Sequence, residues 1–128
     1  MESPAYEESY EEAKRKAKEF YEKIGSIWCP ALNEYVIFNR AGLRHLMQKG
    51  PAFRPKSEQK RRFALISHAK RVIENAAFSS SYSKERDAQF WVFIEKCGGL
   101  KINIVVRQIG NGRKHFLSVY CKQQKSAL

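Results

Sequence analysis

The sequence has no long apolar run. Its best, Phe90-Trp91-Val92-Phe93-Ile94, falls far short of the roughly 20 residues that a membrane-spanning helix requires, so neither a span nor a membrane partner is expected. The opening residues Met1-Glu2-Ser3-Pro4 run into glutamates rather than into a basic stretch and an apolar core. No signal peptide is read there, and a cytoplasmic location is expected. Cysteine is scarce. Cys29, Cys97 and Cys121 form an odd set without C-x-x-C spacing, which argues against a disulfide framework, fits a reducing compartment, and leaves the three as small hydrophobes. Also missing are a phosphate-cradling glycine-rich loop ahead of a helix, H-E-x-x-H, G-x-S-x-G, and a Cys/His cluster at zinc spacing. ATP, flavin and zinc chemistry are therefore not expected, and the expected cofactors and metals are none.

Acidic residues are few, and unevenly placed. The 128-residue chain carries 24 Lys and Arg against 13 Asp and Glu, for a net charge of +11 and a pI near 9.8. Residues 1–27 hold seven acidic and five basic residues, whereas the remaining 101 hold 19 basic and six acidic, so the surplus belongs to the body of the chain. A protein that displaces counterions from phosphates needs such a surplus. An anionic membrane surface or an acidic protein would meet it too, and a basic surface can also serve solubility alone. Hydrophobic residues make up 43%, which suits a folded chain, and the length suffices for one core that hides roughly two-thirds of the unfolded surface.

Along the chain, residues 5–24 read as a helix: Ser3 can cap it, Pro4 suits its first turn, and Tyr6, Tyr10, Ala13, Ala17, Tyr21 and Ile24 share one face before Gly25 stops it. Glu11/Arg15, Glu12/Lys16 and Glu19/Lys23 stand at favourable i,i+4 spacing. Ile27-Trp28-Cys29-Pro30 is an extended entry and Tyr35-Val36-Ile37-Phe38 a short strand. Ala41 to Lys49 is helical up to Gly50-Pro51, and residues 51–56 are a basic loop holding Arg54. A second helix is expected from Ser57 to Ala77, with Phe63, Ile66, Ala69, Ile73 and Ala77 inward and Ser57 as its cap. Residues 79–83 read as a loop. Phe90 to Lys96, Lys101 to Ile109 and Lys114 to Lys122 follow as three β-prone segments joined by Gly98-Gly99 and Gly110-Asn111-Gly112. The fold class is thus α+β, with N-terminal helices packed on a C-terminal antiparallel meander. Strict alternation puts His115, Leu117, Val119 and Cys121 on one face of the last strand and Phe116, Ser118, Tyr120 and Lys122 on the other. In the middle strand, Asn103, Val105, Arg107 and Ile109 oppose a dry face of Ile102, Ile104 and Val106.

Cys29-Pro30-Ala31-Leu32, Val36-Ile37-Phe38-Asn39 and Gly42-Leu43-Arg44-His45-Leu46 precede an Arg-containing helix. Phe90-Trp91-Val92-Phe93-Ile94, Ile104-Val105-Val106-Arg107 and Gly112-Arg113-Lys114-His115-Phe116-Leu117-Ser118-Val119 close the chain. Over residues 27 to 122 these segments resemble the barnase/EndoU/colicin/RelE-like group of small nuclease domains of phages and polymorphic toxins. The resemblance implies a metal-independent ribonuclease with a microbial-RNase/RelE-like fold, whose concave sheet face cleaves RNA. It divides the chain into an amphipathic helix at 1–26, packed on the domain, and a nuclease domain at 27–128 within one compact unit. The motif positions that carry over are His45, Arg61 or Arg62, and His115 with Ser118. No pair of catalytic carboxylates stands out, since Glu34, Glu58 and Glu95 are scattered.

Cleaving RNA without a metal takes a base for the 2′-OH proton, an acid for the leaving 5′-oxygen, and cations for the charge that builds on phosphorus. His45, with an ordinary pKa near ~6.5 that serves either direction, is the first candidate, and His115, just after the glycine turn, is the second. Ser118 would orient phosphate, and Arg62 completes the expected catalytic set. Arg54, Arg62 and Arg107 are the phosphate-binding guanidiniums. Tyr82, Tyr120 and Phe116 could stack on bases, and Arg44, Arg61 and Lys114 complete the expected RNA contacts. His68, in Ser67-His68-Ala69-Lys70, reads as a helix-surface residue. The expected function is a toxin- or phage-effector-like endoribonuclease. Its expected partners are RNA, tRNA among the candidates, and an acidic immunity or antitoxin protein; delivery by a phage or a secretion system stays open. A non-catalytic RNA-binding module and an interaction domain for an acidic partner are the alternatives.

Overall fold

Ser9 opens the first helix, α1 (Tyr10–Ile24), because its hydroxyl accepts the Glu12 N–H at 3.2 Å and closes the first turn. A computed structural model describes residues 8–123. The expected Ser3 cap, Pro4 and Tyr6 lie outside the described residues, and the helix begins at residue 10 rather than 5. Ala17 and Tyr21 are its buried positions, with Tyr10, Ala13 and Ile24 packed beside them, so the predicted stripe holds. The charge pairing differs from the expected one. Arg15 pairs with Glu12 and Glu19, and Lys16 with Glu8.

After Gly25, whose φ of +66° suits a residue without a side chain, β1 (Ser26–Cys29) and β2 (Glu34–Ile37) form an antiparallel hairpin. Asn39 then caps α2 (Arg40–Met47) through Gly42 N–H. The helix expected to run to Lys49 ends at Met47, and Gln48–Lys49 is instead a strand, β3, which pairs with β4 (Ala52–Phe53) in the basic loop expected at 51–56. The single helix expected from Ser57 to Ala77 is two, α3 (Lys56–Ala64) and α4 (Ile66–Asn75). They part at Leu65, whose N–H turns back to Arg62 O at 3.0 Å, an i−3 bond that tightens the chain where neither Gly nor Pro marks a break. Pro55, not Ser57, precedes the first of them, and no side chain caps it. The inward positions Phe63, Ile66, Ala69 and Ile73 are as expected, while Ala77 lies past the end and is exposed.

The loop expected at 79–83 runs instead into a strand, β5 (Ser81–Glu85), exposed throughout and paired with β6 (Ala88–Cys97). Then come β7 (Leu100–Ile109) and β8 (His115–Gln123), the predicted meander. The sheet order is β1-β2-β8-β7-β6-β5, and β2 joins β8 in parallel through one register pair, Ile37 with His115. Ile102, Ile104, Val106, Phe93, Phe116 and Val119 are buried with the helix residues Tyr21, Leu46, Ile66 and Ile73. At the centre, Phe38 and Phe116 stack with centroids 4.9 Å apart, and Tyr21 tilts against both.

The strict alternation expected for β8 fails, and the failure matters. Val106 pairs with Phe116 but Val105 pairs with Ser118, so Leu117 is an extra residue in a β-bulge. Phe116 and Val119 therefore share the core face. His115 lies opposite Arg107, Ser118 opposite Val105 and Tyr120 opposite Asn103, on the face away from the core.

Gly42 lets α2 lie against β8. A Cβ there would sit 2.5 Å from the Phe116 carbonyl oxygen and 2.6 Å from its ring, and closer still to the Tyr21 hydroxyl. Gly42→Ala should therefore destabilise the fold by about 2 kcal/mol or more despite the better helix propensity of alanine. Urea unfolding checks this, and unchanged stability would show that α2 is free to move.

Candidate functional site

Arg54 is buried and held through both its backbone and its side chain. Its backbone N–H donates to Met47 O at 2.8 Å, and its carbonyl accepts from buried Gln59 Nε2 at 2.8 Å. Gln59 is itself fixed by the Tyr10 hydroxyl at 2.6 Å. From that anchored backbone the guanidinium donates Nε to His45 O at 3.1 Å, Nη1 to Glu58 Oε2 at 3.2 Å, and approaches His45 Nδ1 with Nη2 at 3.4 Å.

Glu58 also accepts Arg62 Nε at 3.2 Å. Arg62, one helix turn after Glu58, and Arg54, in the extended chain just before α3 and four residues ahead of Glu58, thus bring two guanidiniums to a single carboxylate. Arg62 continues to the sheet, where Nη1 donates to Ser118 Oγ at 3.1 Å and to Val119 O at 3.3 Å, and its guanidinium lies 5.8 Å from the Tyr120 ring centre. These contacts fall beyond the point where β2 leaves β8. On the same sheet face Arg107 Nε donates to His115 Nε2 at 3.0 Å, and the Arg113 backbone also hydrogen-bonds that imidazole.

The charges do not balance. The side chains of Arg54 and Arg62 are 6% and 12% exposed, yet both rely on Glu58, and among the described residues Arg107 makes no ion pair. Two guanidiniums therefore share one carboxylate, and a third, that of Arg107, has no carboxylate partner among the described residues. Burial, and then the charges of Arg54, Arg62 and Arg107, push the His45 pKa down to about 4. Burial, with Arg107 next, lowers that of His115. Burial also lowers Arg62 and Arg107, though a guanidinium keeps its charge at neutral pH. At pH 7 the centre thus holds neutral imidazoles among cations, and its excess positive charge sits where water screens it poorly. Such an arrangement suits a bound anion.

Of the residues singled out from sequence, His45, Arg54, Arg62, Arg107, His115, Ser118 and Tyr120 come together here. Arg61 is exposed on the rim beside Tyr120, and Arg44 is exposed on α2. Tyr82 and Lys114 go elsewhere. Both lie against Trp91, the Tyr82 ring centre 5.5 Å and Lys114 Nζ 4.9 Å from its ring centre, on the sheet face opposite Arg107, and Lys114 is paired with Glu34. Phe116 is buried in the core and offers no stacking surface. His68 is tied to Glu95 and Arg71 on α4. Sequence reasoning missed Glu58, counted among scattered carboxylates, and Gln59. The Arg54/Glu58/Arg62 spacing of four was the available signal for the first; the second had none, because its partners are 49 residues apart in one case and backbone in the other.

Fold and cluster together define a basic α+β domain built around a cationic, histidine-bearing centre. The chain belongs to the family described as Large polyvalent protein-associated domain 3, whose model matches residues 8–126. No curated protein and no solved structure matches it. Among the described residues no helix is long and apolar enough to cross a membrane.

Two tests follow from the electrostatics. The unfolded chain holds His45 near 6.5 and the folded chain near 4, so between these values the unfolded state binds more protons; stability is full above about 6.5 and declines as pH falls toward about 4. His45→Gln should lose less stability than wild type between pH 7 and pH 5 in urea titrations, and equal losses would contradict the placement of the imidazole among cations. Glu58→Ala leaves two poorly hydrated guanidiniums unpaired and should cost about 2 kcal/mol, part of it restored by millimolar phosphate in thermal melts. A neutral effect with no phosphate response would mean that the carboxylate does not hold the cluster together.

Proposed function

We propose that this domain is a metal-independent endoribonuclease that cleaves RNA by attack of the 2′-OH on the adjacent phosphate. One observation carries the reading: Arg54 and Arg62 share the Glu58 carboxylate beside His45, and Arg107, which has no ion pair among the described residues, bonds His115 on the sheet face where Arg62 meets Ser118. Phosphodiester transesterification uses that set of groups. Arg54, Arg62 and Arg107 take the phosphate oxygens and stabilise the charge that develops on phosphorus. His45 accepts the 2′-OH proton. As Arg107 turns its Nε–H from His115 to the phosphate, the freed His115 Nε2 takes a proton from water, the anionic phosphate favouring the imidazolium, and delivers it to the leaving 5′-oxygen, whose bond to phosphorus breaks as the 2′-oxygen bond forms; the proton taken by His45 returns to water. Ser118 holds Arg62 in place. The resemblance of residues 27–122 to the barnase/EndoU/colicin/RelE-like nucleases supports the same assignment, and it fits a toxin- or phage-effector-like activity restrained in the producing cell by an acidic protein.

A second reading, an RNA-binding module without catalysis, is favoured by one detail. His115 is engaged by both Arg107 and the Arg113 backbone, which suits a positioning role as well as an acid.

Incubation with total RNA and with tRNA in EDTA separates the readings. Wild type should cleave, and His45→Ala and His115→Ala should each lower the rate by about 10²-fold or more while RNA affinity changes little. No cleavage by wild type, or undiminished cleavage by both variants, rejects the enzyme.

A further inference from the structure

Beside the cluster lies a second feature that the phosphate chemistry does not use. Glu58, Arg61, Arg62 and Leu65 of the α3 end, with Tyr120 and Cys121 of β8, line a pocket of about 190 Å³. Two of its lining residues, Glu58 and Arg62, also belong to the guanidinium cluster, so pocket and anion centre are continuous. Its contents are unlike a bare phosphate site: Tyr120 supplies an aromatic face, Leu65 an apolar wall, and Glu58 and Arg61 an acceptor and a donor at the edges.

Resting on the nucleic-acid reading above, we propose that this pocket receives the nucleobase next to the phosphate held by Arg54, Arg62 and Arg107, stacked on the Tyr120 ring. The reasons are physical. A planar aromatic ligand fits a floor of tyrosine ring, and stacking is open to every base because each has a π-face. Arg62 and Lys122 already lie 5.8 and 5.7 Å from the ring centre, so the ring sits in a field that draws electron-rich planar groups. Lys122 is exposed and can move aside. Glu58, held by Arg54 and Arg62, presents carboxylate lone pairs to an exocyclic amine, and exposed Arg61 presents N–H groups to a ring carbonyl. A base seated here adds contact that inorganic phosphate cannot make.

Cys121 gives the test a reporter inside the pocket, because its thiol is exposed there, while exposed Cys97 at the end of β6 serves as an internal control and Cys29 is buried. Alkylation rates of Cys97 and Cys121 are measured by mass spectrometry in the presence of inorganic phosphate, ribose 5-phosphate or AMP, and imidazole NMR of His45 is followed in parallel. AMP should protect Cys121 at concentrations about tenfold below those that phosphate or ribose 5-phosphate need, the factor that stacking on one aromatic ring supplies, with Cys97 unaffected. Tyr120→Ala should erase that difference while the His45 response to phosphate survives, and Tyr120→Phe should keep it. Equal potency of AMP and phosphate, with His45 responding to both, overturns the base pocket and leaves the anion centre standing. No response of His45 to any of the three ligands overturns the centre and the pocket together.

Discussion

One carboxylate keeps two guanidiniums in a place where neither would stay alone. Glu58 accepts from Arg54 and from Arg62, and through them α3 is connected to the end of the β3–β4 hairpin on one side and to β8 on the other. A poorly hydrated guanidinium is costly without a counter-charge, and one carboxylate for two such groups leaves the cost half met. The protein accepts that deficit and surrounds it with neutral acceptors: the His45 carbonyl, the Val119 carbonyl and the Ser118 hydroxyl. Hydrogen bonds of this kind fix direction without cancelling charge. The result is a rigid, underneutralised centre, as expected where charge is kept for a ligand rather than for the fold.

The backbone contributes as much as the charges. Gly42 permits close approach of α2 to β8, which brings His45 near the sheet. The bulge at Leu117 then changes the phase of β8, so that His115 and Ser118, three residues apart, both leave the core face and meet Arg107 and Arg62. In a regular strand residues at odd spacing point to opposite faces. Without the bulge one of the two would face the core, and Phe116 and Val119 could not share that face. Gln59 and Tyr10 add a further constraint, since the first helix reaches the centre through their hydrogen bond and steadies the backbone of Arg54.

Much of this could be read from the sequence, and the parts that could not have physical causes. The α+β order, the meander and its dry face followed from period-two patterning and the glycine turns, and the cationic and imidazole residues of the centre were legible as residue types suited to phosphate. The strand at 81–85 was hidden because all five of its residues are exposed and carry no alternation. The break at Leu65 was hidden because it uses a backbone bond rather than Gly or Pro. Glu58 was overlooked although its spacing to Arg54 and Arg62 is visible, since scarcity of acid was read as dispersal. Tyr82 and Lys114 were placed with the RNA contacts on chemistry alone, while the register of β5 and β6 puts them with Trp91 on the other face. Composition names the participants; register decides which of them meet.

If the guanidinium cluster, and not the diffuse basic surface, receives the anion, then replacing its members must differ from removing exposed charge. Fluorescence anisotropy of a short 2′-O-methyl RNA, which binds but offers no 2′-OH to attack, measured across a salt series for wild type and for Arg54→Gln, Arg62→Gln and Arg107→Gln, tests it most directly. Each replacement should weaken binding and reduce the slope of log affinity against log salt by about one, whereas replacing exposed Lys23 and Lys96 should change both much less. Affinity and slope that follow total charge, irrespective of which residue is replaced, would contradict it.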